Sequence, residues 1–173
     1  MREYVTEAIV LKKEPVREFD TRLSLYTREL GKVRAVATSA RKPLSKLSPH
    51  VEPLSIVEVR LAEKGGMQLT DALRKGTLPK KHIGVLALLD TVLETGERDD
   101  RLWSLLTRDF NLAEVLSVLG FDPNFAVCES CGNAEPDTFL FKDAQYLCAR
   151  CVPYAILREE YVVLPPHVKT GIL

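Results

Sequence analysis

The sequence predicts an α+β chain in which a five-stranded barrel precedes a small helical domain carrying a four-cysteine finger. Three observations point there. Apolar and polar residues alternate in short runs through residues 4–73, the signature of half-buried strands. Beyond 82 the apolar spacing changes to that of a helix. Cysteines occur only as two Cys-x-x-Cys pairs, separated by 16 residues. With 173 residues, 46% of them apolar, the chain can bury one large core or two small ones.

A first strand is expected over 4–13, ended by Glu14-Pro15. The second covers 21–27, with Leu23 and Leu25 on one face and Arg22, Ser24 and Tyr26 on the other. A turn at Gly31 leads into the third, in which Val33, Ala35 and Ala37 oppose Lys32, Arg34, Val36 and Thr38. Pro43, Pro49 and Pro53 punctuate a long loop before a fourth strand over 54–62. Gly65-Gly66 turns the chain into a fifth strand over 67–73. Five short strands without a crossover helix suit a small barrel of the OB type; an SH3-like barrel or another small sandwich shares the pattern.

The expected boundary lies at 76–81, giving a barrel domain at 1–78 and a helical domain at 79–173 with its finger at 128–151. Ile83, Leu86, Leu89 and Leu93 form a helical stripe that Gly96 ends. Asp99 or Asp100 can cap a second helix bearing Leu102, Leu105, Leu106, Phe110, Ala113, Leu116 and Leu119, with Gly120 at its C-terminal cap. Trp103 is expected to pack in the core. The apolar run at 161–164, stopped by Pro165-Pro166, is expected to fold back onto the body.

Cys128, Cys131, Cys148 and Cys151 have the spacing that places four thiolates around one tetrahedral zinc, and an all-cysteine set leaves no open position for a reactive water. The expectation is one structural Zn²⁺. Disulfides would need an oxidising compartment, and a redox Cys-x-x-Cys belongs in a βαβ setting that is missing here. Aromatic and apolar residues between the pairs (Phe139, Leu140, Phe141, Tyr146, Leu147) suggest the hairpin of a zinc ribbon.

The formal net charge of zero hides a split. Through His82 there are 17 Lys and Arg against 10 Asp and Glu; from Ile83 onward, 7 against 14. The basic half suits a polyanion. Its densest stretch, 30–46, runs a strand carrying Lys32 and Arg34 into a loop carrying Arg41, Lys42 and Lys46, with hydroxyls at Thr38, Ser39 and Ser45. A solvated strand and surface loop is the plain alternative. Lys12, Lys13 and Arg17 are secondary candidates. Tyr4, Phe19 and Tyr26 are the aromatics available for base stacking in this half.

Neither a phosphate-binding Gly-rich Walker loop nor a dinucleotide fingerprint is present. His50, His82 and His167 stand far apart and are expected at the surface. Glu18 and Asp20 could hold a metal, with a salt bridge to Arg17, Arg22 or Arg28 the stronger expectation. These features predict a binder and not an enzyme. The N-terminus lacks a signal-peptide core and no stretch is long enough to span a membrane, so a cytoplasmic location is expected.

The motifs add up to a resemblance. Ala8-Ile9-Val10-Leu11, Glu18-Phe19-Asp20, Leu25-Tyr26-Thr27-Arg28-Glu29-Leu30-Gly31-Lys32, Ala35-Val36-Ala37, Ala40-Arg41-Lys42, Ser45-Lys46-Leu47 and Pro53-Leu54 stand in order. Leu119-Gly120-Phe121-Asp122-Pro123, Cys128-x-x-Cys131-Gly132 and Leu147-Cys148-x-x-Cys151 follow. As a set over 5–75 and 112–151 they resemble the bacterial RecO recombination mediators. The resemblance implies an OB-fold, a helical part carrying a zinc finger, and a DNA-repair role associated with the nucleoid. It implies binding of single- and double-stranded DNA without sequence preference, strand annealing, and RecA loading with a RecR-like ring protein on DNA coated by single-strand binding protein. By position it makes Lys32, Arg34, Arg41, Lys42 and Lys46 the DNA-contact candidates. The chain departs from the family in its short stretch between Gly76 and Cys128. A protein-interaction scaffold and an RNA-binding factor built on the same modules are the competing readings.

Overall fold

The computed structural model describes residues 2–42, 44–155 and 160–164. It divides into two compact units, Met1–Arg98 and Asp99–Leu173.

In the first unit, β1 (Arg2–Val16), β2 (Asp20–Thr27), β3 (Gly31–Ala37), β4 (Ser55–Glu63) and β5 (Met67–Thr77) close a barrel in the order β1-β2-β3-β5-β4. The strands pair antiparallel except at the closure, where Ala35 and Val36 of β3 meet Met67 and Gln68 of β5 in parallel. This is the OB arrangement. Alternation places Ala8, Val10, Leu23, Leu25, Val33, Ala35, Ala37, Val57, Val59 and Leu61 in one buried cluster inside the barrel. The alanines on β3 keep the lumen narrow enough to fill with side chains.

Pro15 does not end β1 as expected; the strand continues to Val16, with Pro15 opposite Thr21. The reason is a change of partner. β1 pairs with β4 only over Arg2–Ile9 and with β2 over Ala8–Val16. Beyond Ile9 one side of β1 is an edge, where a proline removes no ladder hydrogen bond.

Helix α1 (Ile83–Val92) packs on β1 and belongs to this unit. Ile9, Tyr26 and Lys32 are cross-strand neighbours that alternate with the inward residues, so they point out of the barrel. All three are nonetheless buried. Tyr26, only 1% exposed, is therefore not available for stacking as the sequence suggested. The helix ends at Val92, short of Gly96, and the segment after it lies along β3. The Lys32 amide donates to the Glu97 carbonyl (3.3 Å), and the Gly96 amide donates to the Lys32 carbonyl (2.8 Å). Gly31, at φ +64, permits this approach, because a Cβ there would lie 2.0 Å from the Glu97 carbonyl oxygen.

In the second unit the expected single helix is two. α2 (Asp100–Leu106) starts at Asp99, whose carboxylate accepts from the Arg101 and Leu102 amides. α3 (Leu112–Val118) starts at a capping box, in which Asn111 and Glu114 each accept the other's amide. Leu119, Gly120 and Phe121 end α3 in a Schellman turn. The Phe121 amide donates to Leu116 (2.8 Å) and the Gly120 amide to Ser117 (3.1 Å), with Gly120 at φ +89. Trp103 is buried, as anticipated.

The finger hairpin is β6 (Thr138–Leu140) and β7 (Gln145–Leu147), followed by α4 (Val152–Ala155) and β8 (Tyr161–Val163). β8 adds to the other edge of β6, giving the order β7-β6-β8. The run at 161–164 thus folds back onto the finger sheet; Pro165-Pro166 and His167 lie outside the described residues. No helix among the described residues is long and apolar enough to cross a membrane.

Candidate metal centre and nucleic-acid interface

The four cysteine sulfurs lie within 4.8 Å of one another, with Cys131 Sγ and Cys148 Sγ 3.7 Å apart. A tetrahedral ion with bonds of about 2.3 Å to sulfur requires sulfur–sulfur edges of about 3.8 Å, so the set fits such an ion. Each pair sits on a tight turn. The Gly132 amide donates to the Cys128 carbonyl (2.8 Å), and the Cys151 amide donates to the Cys148 carbonyl (2.8 Å). Gly132, at φ +70, provides the left-handed step that the first turn needs.

The thiols are electrostatically unequal. Burial opposes ionisation of Cys128, but the amides of Cys148, Cys131 and Ser130 outweigh it and bring the thiol to about 6. Ser130 pulls Cys151 down, yet the neighbouring sulfurs and burial push it up to about 12. Four thiolates this close need a cation between them. The hairpin is itself pinned: Tyr146 donates its hydroxyl to the Phe121 carbonyl (2.6 Å), and Phe139 packs at a tilt against both rings, at 5.2 Å from Phe121 and 4.8 Å from Tyr146.

On the barrel the structure separates the basic candidates. Lys32 is a correction to the sequence reading: it is 3% exposed. Its ammonium donates to the carbonyls of Asp90 and Leu93 (2.9 Å to Leu93) and lies 3.7 Å from the Asp90 carboxylate. Burial holds its pKa below the ordinary lysine value despite Asp90. Lys32 therefore caps the C-terminal end of α1 and is withdrawn from any surface ligand.

Arg34, Arg41, Lys42 and Lys46 are exposed. Arg41 is also a clasp. Its guanidinium donates to the Glu18 carbonyl (3.2 Å) and its amide to the Phe19 carbonyl (2.9 Å), while the Ser39 amide donates to the Asp20 carboxylate (2.9 Å). Asp20 also meets Arg17 at 3.7 Å, the salt bridge expected of the Glu-Phe-Asp cluster. The Lys42 ammonium stands 5.7 Å from the centre of the Phe19 ring, and Phe19 is 42% exposed. Strap 39–42 and turn 17–20 are thus stitched into one basic ridge.

Of the secondary candidates, Lys13 is paired with Glu52 at 2.6 Å and Lys12 with Glu14 at 2.9 Å. Elsewhere on the barrel, Arg60 meets Glu3 (3.7 Å), Lys75 meets Glu58 (3.5 Å) and Arg28 meets Glu7 (3.4 Å). Arg22 and Arg34 have no carboxylate partner among the described residues and line one polar cavity with Lys12, Glu14, Ser24 and Asp90. The sequence did not single out Arg22 and Ser24, although strand alternation already set them opposite Leu23 and Leu25. His82 corrects a smaller expectation, being 4% exposed and not at the surface.

The chain thus combines a closed OB barrel with a unit that carries a four-cysteine finger. Residues 1–75 match the family model described as Recombination protein O N terminal. The chain is 29% identical over 199 residues to the DNA repair protein RecO of Geobacter metallireducens, covering 96% of this chain and 80% of the relative. It is 25% identical to the RecO of Alkaliphilus metalliredigens (84% and 71% covered) and 30% identical to that of Desulforudis audaxviator (79% and 64% covered). The chain is thus similar to RecO proteins over most of its length.

Proposed function

We propose that the chain is a recombination mediator of DNA repair. It binds single- and double-stranded DNA without sequence preference, promotes annealing of complementary strands and, with a RecR-like ring protein, assists RecA loading at the nucleoid. Arg34, Arg41, Lys42 and Lys46 are its backbone contacts, and one structural zinc ion holds the finger through Cys128, Cys131, Cys148 and Cys151. The supporting observation is the uneven pairing of charge. Arg60 on β4, Lys75 on β5 and Arg28 after β2 each meet a carboxylate of a neighbouring strand, whereas Arg22 and Arg34 form no ion pair among the described residues, and the 39–42 strap adds further positive charge beside turn 17–20. Cations outside ion pairs on a compact barrel suit a polyanion read by its phosphates.

The decisive experiment is annealing of complementary oligonucleotides at low salt, with and without a RecR-like ring protein. Acceleration by the chain alone, with a further effect of the ring protein, is the expected result. No acceleration at any salt would leave the scaffold reading. Preferential competition by structured RNA over single-stranded DNA would favour the RNA-binding one.

A further inference from the structure

The cavity on the outer face of β1, β2 and β3 contains an unusual polar group. Ser24 is 6% exposed, lines the cavity, and its buried hydroxyl oxygen has no hydrogen-bond partner. A buried hydroxyl left unpaired destabilises a fold unless something else satisfies it. Around it the charges do not balance. Glu14 meets Lys12 at 2.9 Å, and Asp90, whose buried Oδ1 also has no hydrogen-bond partner, lies between the ammonium groups of Lys32 at 3.7 Å and Lys12 at 3.9 Å. Arg22, although Glu14 is its cross-strand neighbour, and Arg34 form no ion pair among the described residues. Ser24 is the cross-strand partner of Arg34, and Arg22 is paired with Val36, so the two arginines are diagonal neighbours across β2 and β3. Diagonal neighbours on adjacent strands lie about 7 Å apart at their bases, within reach of one another for arginine side chains. A hydroxyl donor at the floor and two guanidinium groups at the rim match the oxygens of a phosphate group, which accept several donors at once.

We propose that this cavity seats a single phosphate oxyanion, with Arg22 and Arg34 as its charged partners and the Ser24 hydroxyl donating from beneath. Its source is a backbone phosphodiester of the bound strand. The inference deepens the DNA-binding reading and adds Arg22 and Ser24 to the contact set.

The test measures affinity for a labelled oligo-dT strand and its salt dependence in the full chain, in Arg22→Ala, Arg34→Ala and Ser24→Val, and in Lys75→Ala as a charge-matched control. Arg22→Ala and Arg34→Ala should each weaken binding severalfold and flatten the log–log salt slope by up to about 0.7, the share of the one single-strand phosphate they hold together. Ser24→Val should weaken binding while leaving the melting temperature unchanged or higher, and Lys75→Ala should change neither. In a parallel arm, inorganic phosphate is titrated against the same variants by its ³¹P signal. Phosphate binding that depends on Arg22 and Ser24, with oligo-dT binding indifferent to them, overturns the backbone source and assigns the cavity to free phosphate. Wild-type affinity and slope in all three cavity variants, with no Arg22-dependent phosphate signal, overturns the site itself. A wild-type chain that fails to bind oligo-dT overturns the DNA-binding reading first, and the backbone source with it.

Discussion

Lys32 and Arg34 are two residues apart on one strand face and serve different ends. The alternation that points both outward is legible in the sequence; the helix that covers only Lys32 is not, because its stripe gives no address. Lys32→Met should cost about 3 kcal/mol in chemical denaturation, since it leaves the Asp90 charge and two α1 carbonyls without their cation. The pH dependence has a definite sign. The folded pKa of Lys32 is below its unfolded value of 10.5 because burial penalises the ammonium. The cost of charging it is present at neutral pH and is relieved as pH rises from the folded value toward the unfolded one. The stability difference between wild type and Lys32→Met should therefore widen on going from neutral to alkaline pH; a difference that narrows would contradict the burial argument. Arg41 calls for similar care. Because its guanidinium holds turn 17–20, Arg41→Glu would disturb both clasp and ligand, whereas Lys42→Glu with Lys46→Glu tests charge alone and should weaken oligonucleotide binding at low salt without lowering the melting temperature.

The helices of the second unit show what apolar spacing conceals. The stripe from Leu102 to Leu119 reads as one helix because its period runs through the break. Yet Asn111-Leu-Ala-Glu114 is itself a capping signature, and it takes precedence over the stripe. Asn111→Ala should cost about 1 kcal/mol, measured as a lowered urea midpoint. Asp99 caps α2, and its carboxyl is held below the ordinary range, first by the Arg101 guanidinium and then by the Leu102 and Arg101 amides. The sign here is the reverse of that for Lys32. The stabilisation is present above the unfolded carboxylate pKa and is lost as pH falls through the depressed one. An Asp99→Asn variant should accordingly differ from wild type near neutrality and converge with it in acid. The β strands were more legible than the helices, because period-2 alternation fixes both the strand and its inward face. The extension of β1 past Pro15 was hidden, since it depends on β4 leaving β1 at Ile9, a fact of the barrel and not of the local sequence.

For the molecule as a whole, the metal and the polyanion make separable demands. Zinc measured by atomic absorption should approach one ion per chain, and a strong chelator should abolish the near-UV signal of the Phe121–Phe139–Tyr146 cluster. The far-UV spectrum of the barrel should survive. About four phosphate contacts predict a slope of about −2.8 in log affinity against log salt for single strands. A slope near zero would show that DNA is not held through its backbone. The four-cysteine cluster was legible because thiol spacing alone brings the sulfurs together, whereas the pairing of β8 with the hairpin was not. The pairing of the barrel cations was legible in part, since composition marks which half carries charge while only three-dimensional pairing shows which cations form ion pairs.

The exchange of partners along β1 has a further consequence. Arg2–Ile9 serve β4 and Ala8–Val16 serve β2, so the opening segment acts as the seam of the barrel. Trimming or rigidly fusing that segment would leave the side of β4 unzipped, an open template for a neighbouring copy. Preparations altered there should aggregate, and a purification handle belongs at the opposite terminus.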